Sequence, residues 1–144
     1  MWRVMIPLSD CSYTTVAGFP MAGIPGHEVA GELHDGTPFD AQAVVFTFER
    51  QMKEDHPARN PADTFPYYHD NFKALQSVEA LPDGRVRFTL KEPYAPFLSA
   101  LALFSTSIVA PSAFEGGKKR EFASRPVGTG PFVFDSWDRD SRIV

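Results

Sequence analysis

HDGTPFDAQAVVFTFERQM, the stretch at residues 34–52, combines a turn with an amphipathic helix. Thr37 is a good N-cap residue, and Pro38 suits the first helical position because its missing backbone N–H would have no partner there. Asp40 places a carboxylate in the first turn, where its negative charge is stabilised by the positive end of the helix dipole. An apolar face then follows at helical spacing, formed by Ala41, Val44, Val45, Phe48 and Met52. We therefore predict a helix that begins at Pro38.

A β-hairpin is predicted downstream of this helix. Ser77–Leu81 and Arg85–Leu90 alternate between apolar and polar residues, and the Pro-Asp-Gly between them has the composition of a turn. In the second strand, the residues expected to face the core are Val86, Phe88 and Leu90. The residues expected to face water are Arg85, Arg87 and Thr89.

Shorter elements complete the predicted fold. Residues 1–33 have no sustained period and carry several glycines and prolines, so we expect mostly loop there. The later elements are a helix over Pro93–Leu103 with Phe97, Leu98 and Leu101 buried, a strand at Ser107–Ala110, and a last strand at Phe132–Trp137. This order predicts an α+β fold, a small mixed sheet with flanking helices.

The composition is that of a globular protein, with 43% hydrophobic and 22% charged residues. A net charge of -4 argues against nucleic acid as a partner, because no basic stripe is available to neutralise phosphates. The single cysteine, Cys11, excludes an internal disulfide. No apolar run approaches the roughly 20 residues that a membrane-spanning helix needs. Leu8–Cys11 faintly resembles a lipoprotein cleavage site, but Pro7 breaks the short apolar run before it, so we expect an irregular or truncated start.

Metal chemistry finds weak support in the sequence. Imidazole and carboxylate groups are ordinary zinc or manganese ligands, and they occur here as His27-Glu28 and His34-Asp35. Their spacing is not that of a helical His-Glu-x-x-His pair, so we predict no metal site. A metal-dependent hydrolase that uses His27, His34, Asp35 and His69 remains the less favoured alternative.

Nucleotide and nucleophilic chemistry find no better support. Gly128-Thr129-Gly130 is followed by Pro131 and a predicted strand, whereas a phosphate-binding loop leads into a helix N-terminus. A rigid, close-packed turn is the simpler interpretation. No serine lies in a Gly-x-Ser-x-Gly elbow, and Cys11 has no histidine near it in a patterned element. We therefore predict no catalytic residue, no cofactor and no enzyme activity.

Two stretches resemble the signatures of one protein family. Residues 34–48, HDGTPFDAQAVVFTF, closely resemble the HDGTPFxAxxVxFxF signature of family 5 extracellular solute-binding proteins. Residues 126–137, PVGTGPFVFDSW, resemble that family's PxGTGPFxxxxW signature, and the hairpin and Pro93–Leu98 fall between the two in the family's order. Phe48–Gln51 and Asp140–Ile143 lean toward its dipeptide-binding branch. The structural-motif residues are His34, Asp35, Gly36, Thr37, Pro38, Phe39, Gly128, Thr129, Gly130, Pro131 and Phe132.

The resemblance implies the substrate-binding component of an ABC importer, which captures peptides or similar solutes outside the cytoplasmic membrane. It implies a periplasmic or extracellular, membrane-associated location, with permease subunits as partners in transmembrane transport. Such proteins close two lobes around a ligand on a hinge. The ligand itself stays open between a dipeptide, a longer peptide, an opine and a metal chelate. No ligand-binding residue is carried over to this chain.

Family members are much longer than this chain, and the resemblance begins at about His34. We therefore predict a partial chain with an irregular N-terminal segment at residues 1–33 and a partial solute-binding domain at residues 34–144. That domain corresponds to part of the first lobe, its second domain, in a two-lobed periplasmic binding protein. A stand-alone interaction domain with an exposed apolar face is the remaining alternative.

Overall fold

A computed structural model of the chain describes residues 2–6, 15–16, 19–20, 31–59, 66–120 and 123–144. The strands are β1 (Trp2–Ile6), β2 (Thr15–Val16), β3 (Phe19–Pro20), β4 (Leu75–Ala80), β5 (Val86–Leu90), β6 (Trp137–Asp138) and β7 (Arg142–Ile143). The α-helices are α1 (Ala41–Met52), α2 (Pro66–Phe72) and α3 (Phe97–Ala100), and 3₁₀ helices span Phe104–Thr106 and Pro111–Arg120. The predicted α+β class is confirmed. None of the described helices is long and apolar enough to cross a membrane.

The predicted hairpin forms the body of the main sheet. β4 and β5 pair antiparallel, with Val78 opposite Phe88 and Ala80 opposite Val86. Gly84 closes the turn at a φ of 80°, a conformation that glycine adopts without steric cost. β1 pairs with the other side of β5, so the strand order is β1-β5-β4. The sheet that we expected to be mixed is antiparallel in every pairing between described strands.

Two details of the N-terminal region and of β5 differ from the prediction. Residues 1–33 were expected to be mostly loop, yet β1 pairs with β5 over its whole length, from Trp2 opposite Leu90 to Ile6 opposite Val86. Thr89 was expected to face water but is only 1% exposed. Phe88, Thr89 and Leu90 are buried in succession, so alternation does not mark a water-facing side at this end of β5.

Helix α1 begins three residues later than predicted, because Asp40 and not Thr37 is its N-cap. Asp40 has extended backbone angles, and its Oδ1 accepts hydrogen bonds from the backbone N–H groups of Gln42 and Ala43 at 2.9 Å each. Thr37 is held in the preceding turn, where its carbonyl accepts from the N–H of Leu33 at 2.8 Å. Asp40 therefore sets the start of the helix.

The cap gives a first testable prediction. Replacing Asp40 with alanine removes the acceptor for two N–H groups, and we expect the free energy of unfolding to fall by about 1 kcal/mol. Asp40→Asn keeps an acceptor oxygen at the same place and should lose much less. Urea denaturation of both variants measures the difference; equal losses would contradict the capping role.

The main hydrophobic core lies between α1 and the sheet, and aromatic rings fill it. Phe48 is 2% exposed, and its ring centroid lies 5.1 Å from that of Phe88, 5.5 Å from Phe72 and 5.9 Å from Tyr68. Phe97 extends the cluster, with its ring 5.4 Å from Phe88. The edge-to-face contacts suit the charge distribution of aromatic rings.

The segment after the sheet is less regular than predicted. α3 covers only Phe97–Ala100, and Leu98, expected to be buried, is 60% exposed. Backbone bonds from Ala102 to Ser99 and from Leu103 to Ala100 span three residues, so the chain tightens before a long helix can form.

Two predicted strands are absent or shorter. Ser107–Ala110 is not a strand, because the N–H of Val109 donates to the hydroxyl of Thr47 on α1 at 3.1 Å and is not free for a ladder. Of the strand predicted at Phe132–Trp137, only Trp137 belongs to a strand.

A smaller core lies on the other side of α1. Ala58, Val109 and Phe114 are buried there, and Phe46 packs against them. His56 joins this cluster, with its ring centroid 5.3 Å from that of Phe46. Its Nδ1 accepts a hydrogen bond from the N–H of Ala58 at 3.1 Å, which requires that nitrogen to carry no proton.

His56 makes stability depend on pH. Burial lowers its pKa below the ordinary value, and the nearby Lys53 and Arg50 act in the same direction, against an opposing effect of Glu49. The folded state therefore binds the proton less well than the unfolded state. The stability from the neutral ring is complete above the ordinary pKa of about 6.5 and is lost as the pH falls through the lower pKa of the folded state.

We expect the free energy of unfolding to decrease as the pH falls below the ordinary histidine pKa of about 6.5, and His56→Asn to flatten this part of the curve. The asparagine oxygen can replace Nδ1 as acceptor without titrating. Denaturation at a series of pH values compares the two proteins. The same slope in both would show that another group is responsible.

Candidate functional site

The first family signature folds into a tight hairpin-like turn over residues 31–39. The N–H of Leu33 donates to the carbonyl of Thr37 at 2.8 Å, and the N–H of Phe39 donates to the carbonyl of Gly31 at 2.7 Å. Gly36, at a φ of 79°, reverses the chain between them. The turn is thus fixed by backbone hydrogen bonds at both its tip and its base.

Asp35 tightens the tip with its side chain. Its Oδ1 accepts from the backbone N–H of Thr37 at 3.1 Å and from the Thr37 hydroxyl at 2.6 Å, an arrangement typical of an Asx turn. Its Oδ2 accepts from the hydroxyl of Ser112, on the 3₁₀ helix Pro111–Arg120. Partial burial acts to raise the pKa of Asp35, but the hydrogen bonds from Ser112 and Thr37 outweigh it and hold the pKa below its ordinary value.

His34 joins the two signatures, which lie far apart in sequence. Its backbone N–H donates to the carbonyl of Gly128 at 2.9 Å, and its Nε2 lies 2.8 Å from the carbonyl oxygen of Gly130. A carbonyl oxygen only accepts, so Nε2 carries the proton. One histidine therefore clamps the glycine turn from both its backbone and its ring.

Gly31, just before the first signature, and the residues of the second signature lie around this clamp. Gly31 makes a close approach, because a Cβ there would lie 2.5 Å from the Cβ of Phe39. We predicted a close-packed turn at Gly128. The turn is open there, because a Cβ at this position would meet nothing within 4 Å. Pro131 is exposed and Phe132 is 84% exposed, so the end of the second signature extends into solvent.

The chemistry of the site is that of a structural junction. The ring of His34 is bonded to a backbone carbonyl, and the carboxylate of Asp35 to two hydroxyls and an N–H. The Nε2 of His34 and both carboxylate oxygens of Asp35 are thus engaged by other groups of the protein.

The alternative metal site receives no support from the geometry. His27 lies outside the described residues, and the side chain of His69 is not among those described. Within the described ranges, no group of three or more His, Cys, Asp and Glu could hold a metal ion.

Sequence reasoning missed two residues of the junction. Ser112 has no local pattern that points to Asp35, because the contact joins positions 77 residues apart. Gly31 is visible in the sequence as a glycine just before the first signature. Its role depends on the close contact with Phe39, which the sequence alone does not show.

Comparison with known proteins agrees with the two signatures. Residues 33–144 match the family described as bacterial extracellular solute-binding proteins, family 5 Middle. Di/tripeptide-binding protein 3 of Pseudomonas aeruginosa is 39% identical over 112 residues, covering 73% of this chain and 21% of the relative. Heme-binding protein A of Haemophilus influenzae is 41% identical over 116 residues, covering 73% and 20%.

A solved structure shows the same fold. The periplasmic binding protein DppA of Helicobacter pylori, in complex with the peptide STSA, superposes with a TM-score of 0.65 at 38% identity. The match covers 74% of this chain and 22% of that protein. The chain thus spans about a fifth of the length of the curated relatives that it matches. On these grounds it belongs to the bacterial extracellular solute-binding proteins of family 5.

Proposed function

We propose that this chain serves in the capture of peptides or similar solutes, as part of the substrate-binding component of an ABC importer. The observation that carries the proposal is the pair of signatures, present in the family's order and joined in space by His34. Relatives that share this stretch are named for binding dipeptides, tripeptides and heme. Peptides are the ligand class that these names favour.

The proposed role is one of binding without catalysis. The polar side chains of the junction already have partners within the protein, which suits a frame that holds other segments in position. We propose that the signature residues His34–Phe39 and Gly128–Phe132 act as scaffold and make no contact with the transported solute. The assignment of residues 34–144 to a solute-binding segment belongs to the same proposal, and strand β1 (Trp2–Ile6) joins the sheet of that segment.

The proposed location and partners follow from the relatives. The structural relative from Helicobacter pylori is described as ABC-transporter-associated and periplasmic. We propose an extracytoplasmic, membrane-associated place of action for this chain, with the permease subunits of an ABC transporter as partners.

A chimera tests the proposed function. The aligned 112-residue segment of Di/tripeptide-binding protein 3 is replaced by the matching residues of this chain. We expect the chimera to fold and to bind a tripeptide with a Kd within about tenfold of the parent, as measured by calorimetry. A chimera that folds but does not bind would contradict the proposal.

His34→Ala in the same chimera separates scaffold from ligand contact. A scaffold residue affects the midpoint of thermal unfolding and leaves the Kd of the tripeptide nearly unchanged. Loss of tripeptide binding with an unchanged unfolding midpoint would mean that the junction contacts the ligand.

A further inference from the structure

A groove of about 520 Å³ lies beside β4, away from the junction of the two signatures. Buried side chains of α2 and β4 form part of its floor, among them Tyr68, Phe72, Leu75 and Val78. Its polar lining comes from Glu49, Gln51, Lys53, Lys73, Gln76, Ser77, Glu79 and Lys91. The groove therefore combines an apolar floor with a charged rim along one edge of the sheet.

β4 is the edge strand at this groove. The sheet order β1-β5-β4 leaves its outer side without a described partner strand. Within the described residues, no backbone hydrogen bond joins that outer side to another segment. Its ladder with β5 runs without interruption from Ser77 to Ala80, after a register shift between Leu75 and Ser77. Such an edge presents N–H and C=O groups that can pair with an added strand.

β4 lacks two of the features that usually protect an edge strand, although it carries the charged Glu79 and has a register shift between Leu75 and Ser77. Natural edge strands often carry lysine or proline, which disfavour pairing with another chain. β4 reads LQSVEA and contains neither residue. Lys73 lies before β4 in the sequence, and Lys91 lies directly after β5.

The charges at the two ends of the groove differ. Glu49 pairs with Lys53 at 2.6 Å, and Glu79 pairs with Arg87 at 3.2 Å, so both rim carboxylates are compensated. Lys73 and Lys91 have no carboxylate partner in the part of the chain that the structure describes. Lys91 Nζ donates to the backbone carbonyl of Lys73 at 3.1 Å, and both residues lie next to the Leu75–Leu90 pair at one end of the ladder. This end is positively charged and favours an acidic partner.

We propose that β4 accepts an extended, acidic segment of another polypeptide as an added antiparallel or parallel strand. Backbone hydrogen bonds to Ser77–Ala80 hold the segment, its apolar side chains enter the groove, and its carboxylates lie over Lys73 and Lys91. The proposal rests on the groove and the edge of β4 and goes beyond the proposed transport function.

Two synthetic hexapeptides test the proposal on the full chain. One alternates glutamate and valine, the other alternates lysine and valine, and both are acetylated and amidated. We expect amide NMR shifts centred on Ser77–Ala80 and an affinity about tenfold higher for the acidic peptide, as for a pair of exposed ion pairs. Equal affinity for both peptides, or shifts that avoid β4, would overturn the proposal.

Charge reversal supplies the matched control. In a Lys73→Glu and Lys91→Glu double variant, we expect the preference to invert toward the basic peptide. An Arg125→Glu and Arg142→Glu double variant changes the net charge equally at exposed positions that do not line the groove, and should keep the original preference. If the preference inverts in both variants, the net charge of the protein explains the effect, and a local site at Lys73 and Lys91 is refuted.

Backbone methylation tests strand addition itself. An acidic peptide with N-methyl groups at alternate residues keeps its charges but loses the N–H donors of one edge. When the methylated edge is the one that pairs with β4, we expect the affinity of this peptide to fall to that of the basic peptide. If peptides methylated on either edge bind as well as the unmodified one, the segment is not held as a strand. Concentration-dependent pairing of β4 with β4 of a second copy would equally overturn the proposal.

Discussion

Replacing Phe48 with alanine is expected to lower the free energy of unfolding by about 3–5 kcal/mol, the largest effect of any substitution proposed for this chain. Its ring is 2% exposed and lies within 6 Å of three other aromatic rings, measured between centroids. Alanine would leave a cavity that the stiff rings of Phe72 and Phe88 cannot close. A loss of this size is a large fraction of the stability of a typical domain, so part of the variant should be unfolded at equilibrium.

Phe132→Ala provides the matched control for this prediction. It removes the same atoms from a side chain that is 84% exposed, and should change the stability by no more than about 0.5 kcal/mol. Urea denaturation with a common m-value measures both variants. Similar losses at the two positions would mean that α1 does not pack its aromatic face against the sheet as described.

The core position of Phe48 could be predicted because its signal is local. Helical spacing places Val44 and Phe48 on one face, and both are buried. The start of the same helix was predicted wrongly, since Thr37 and Asp40 are both good caps by residue type. The choice between them depends on the backbone bond from Leu33 to Thr37, which a pattern of single residues does not contain.

The hairpin shows a similar division between local and distant causes. Its turn and its inward-facing Val86 and Phe88 follow from alternation and from the Pro-Asp-Gly sequence. The burial of Thr89 does not, because alternation places it on the face opposite to Phe88 and Leu90, yet all three are buried. Val109 is a further case: the hydroxyl of Thr47, 62 residues away, takes the N–H that a predicted strand would have used.

The candidate site was predictable as two signatures but not as one place. Each signature is visible in the sequence, and the resemblance that they carry is confirmed by the family match over residues 33–144. That His34 bonds to both Gly128 and Gly130 is a property of the folded chain alone. It also gives a physical reason for the histidine: its imidazole supplies a donor at the length needed to reach Gly130, while its backbone N–H donates to Gly128.

Gly31→Ala is expected to destabilise this junction by about 1–3 kcal/mol. The added Cβ would lie 2.5 Å from the Cβ of Phe39 and 2.6 Å from its carbonyl oxygen. A backbone oxygen cannot rotate away as a side chain can, so the two arms of the turn must separate. That movement stretches the 2.7 Å bond between the N–H of Phe39 and the carbonyl of Gly31, and it loosens the turn that carries His34.

Gly128→Ala isolates the steric effect in this comparison. Both substitutions restrict the unfolded chain by the same amount, so that contribution cancels between the variants. A Cβ at position 128 meets open space, and its stability should therefore stay at or slightly above that of the parent. Thermal unfolding measures both variants, and amide hydrogen exchange at Leu33 and Phe39 reports the turn directly. Faster exchange at both amides in the Gly31 variant alone is the expected result; unchanged exchange there would show that the turn tolerates a side chain at its base, and that its two arms are not held in the close contact described.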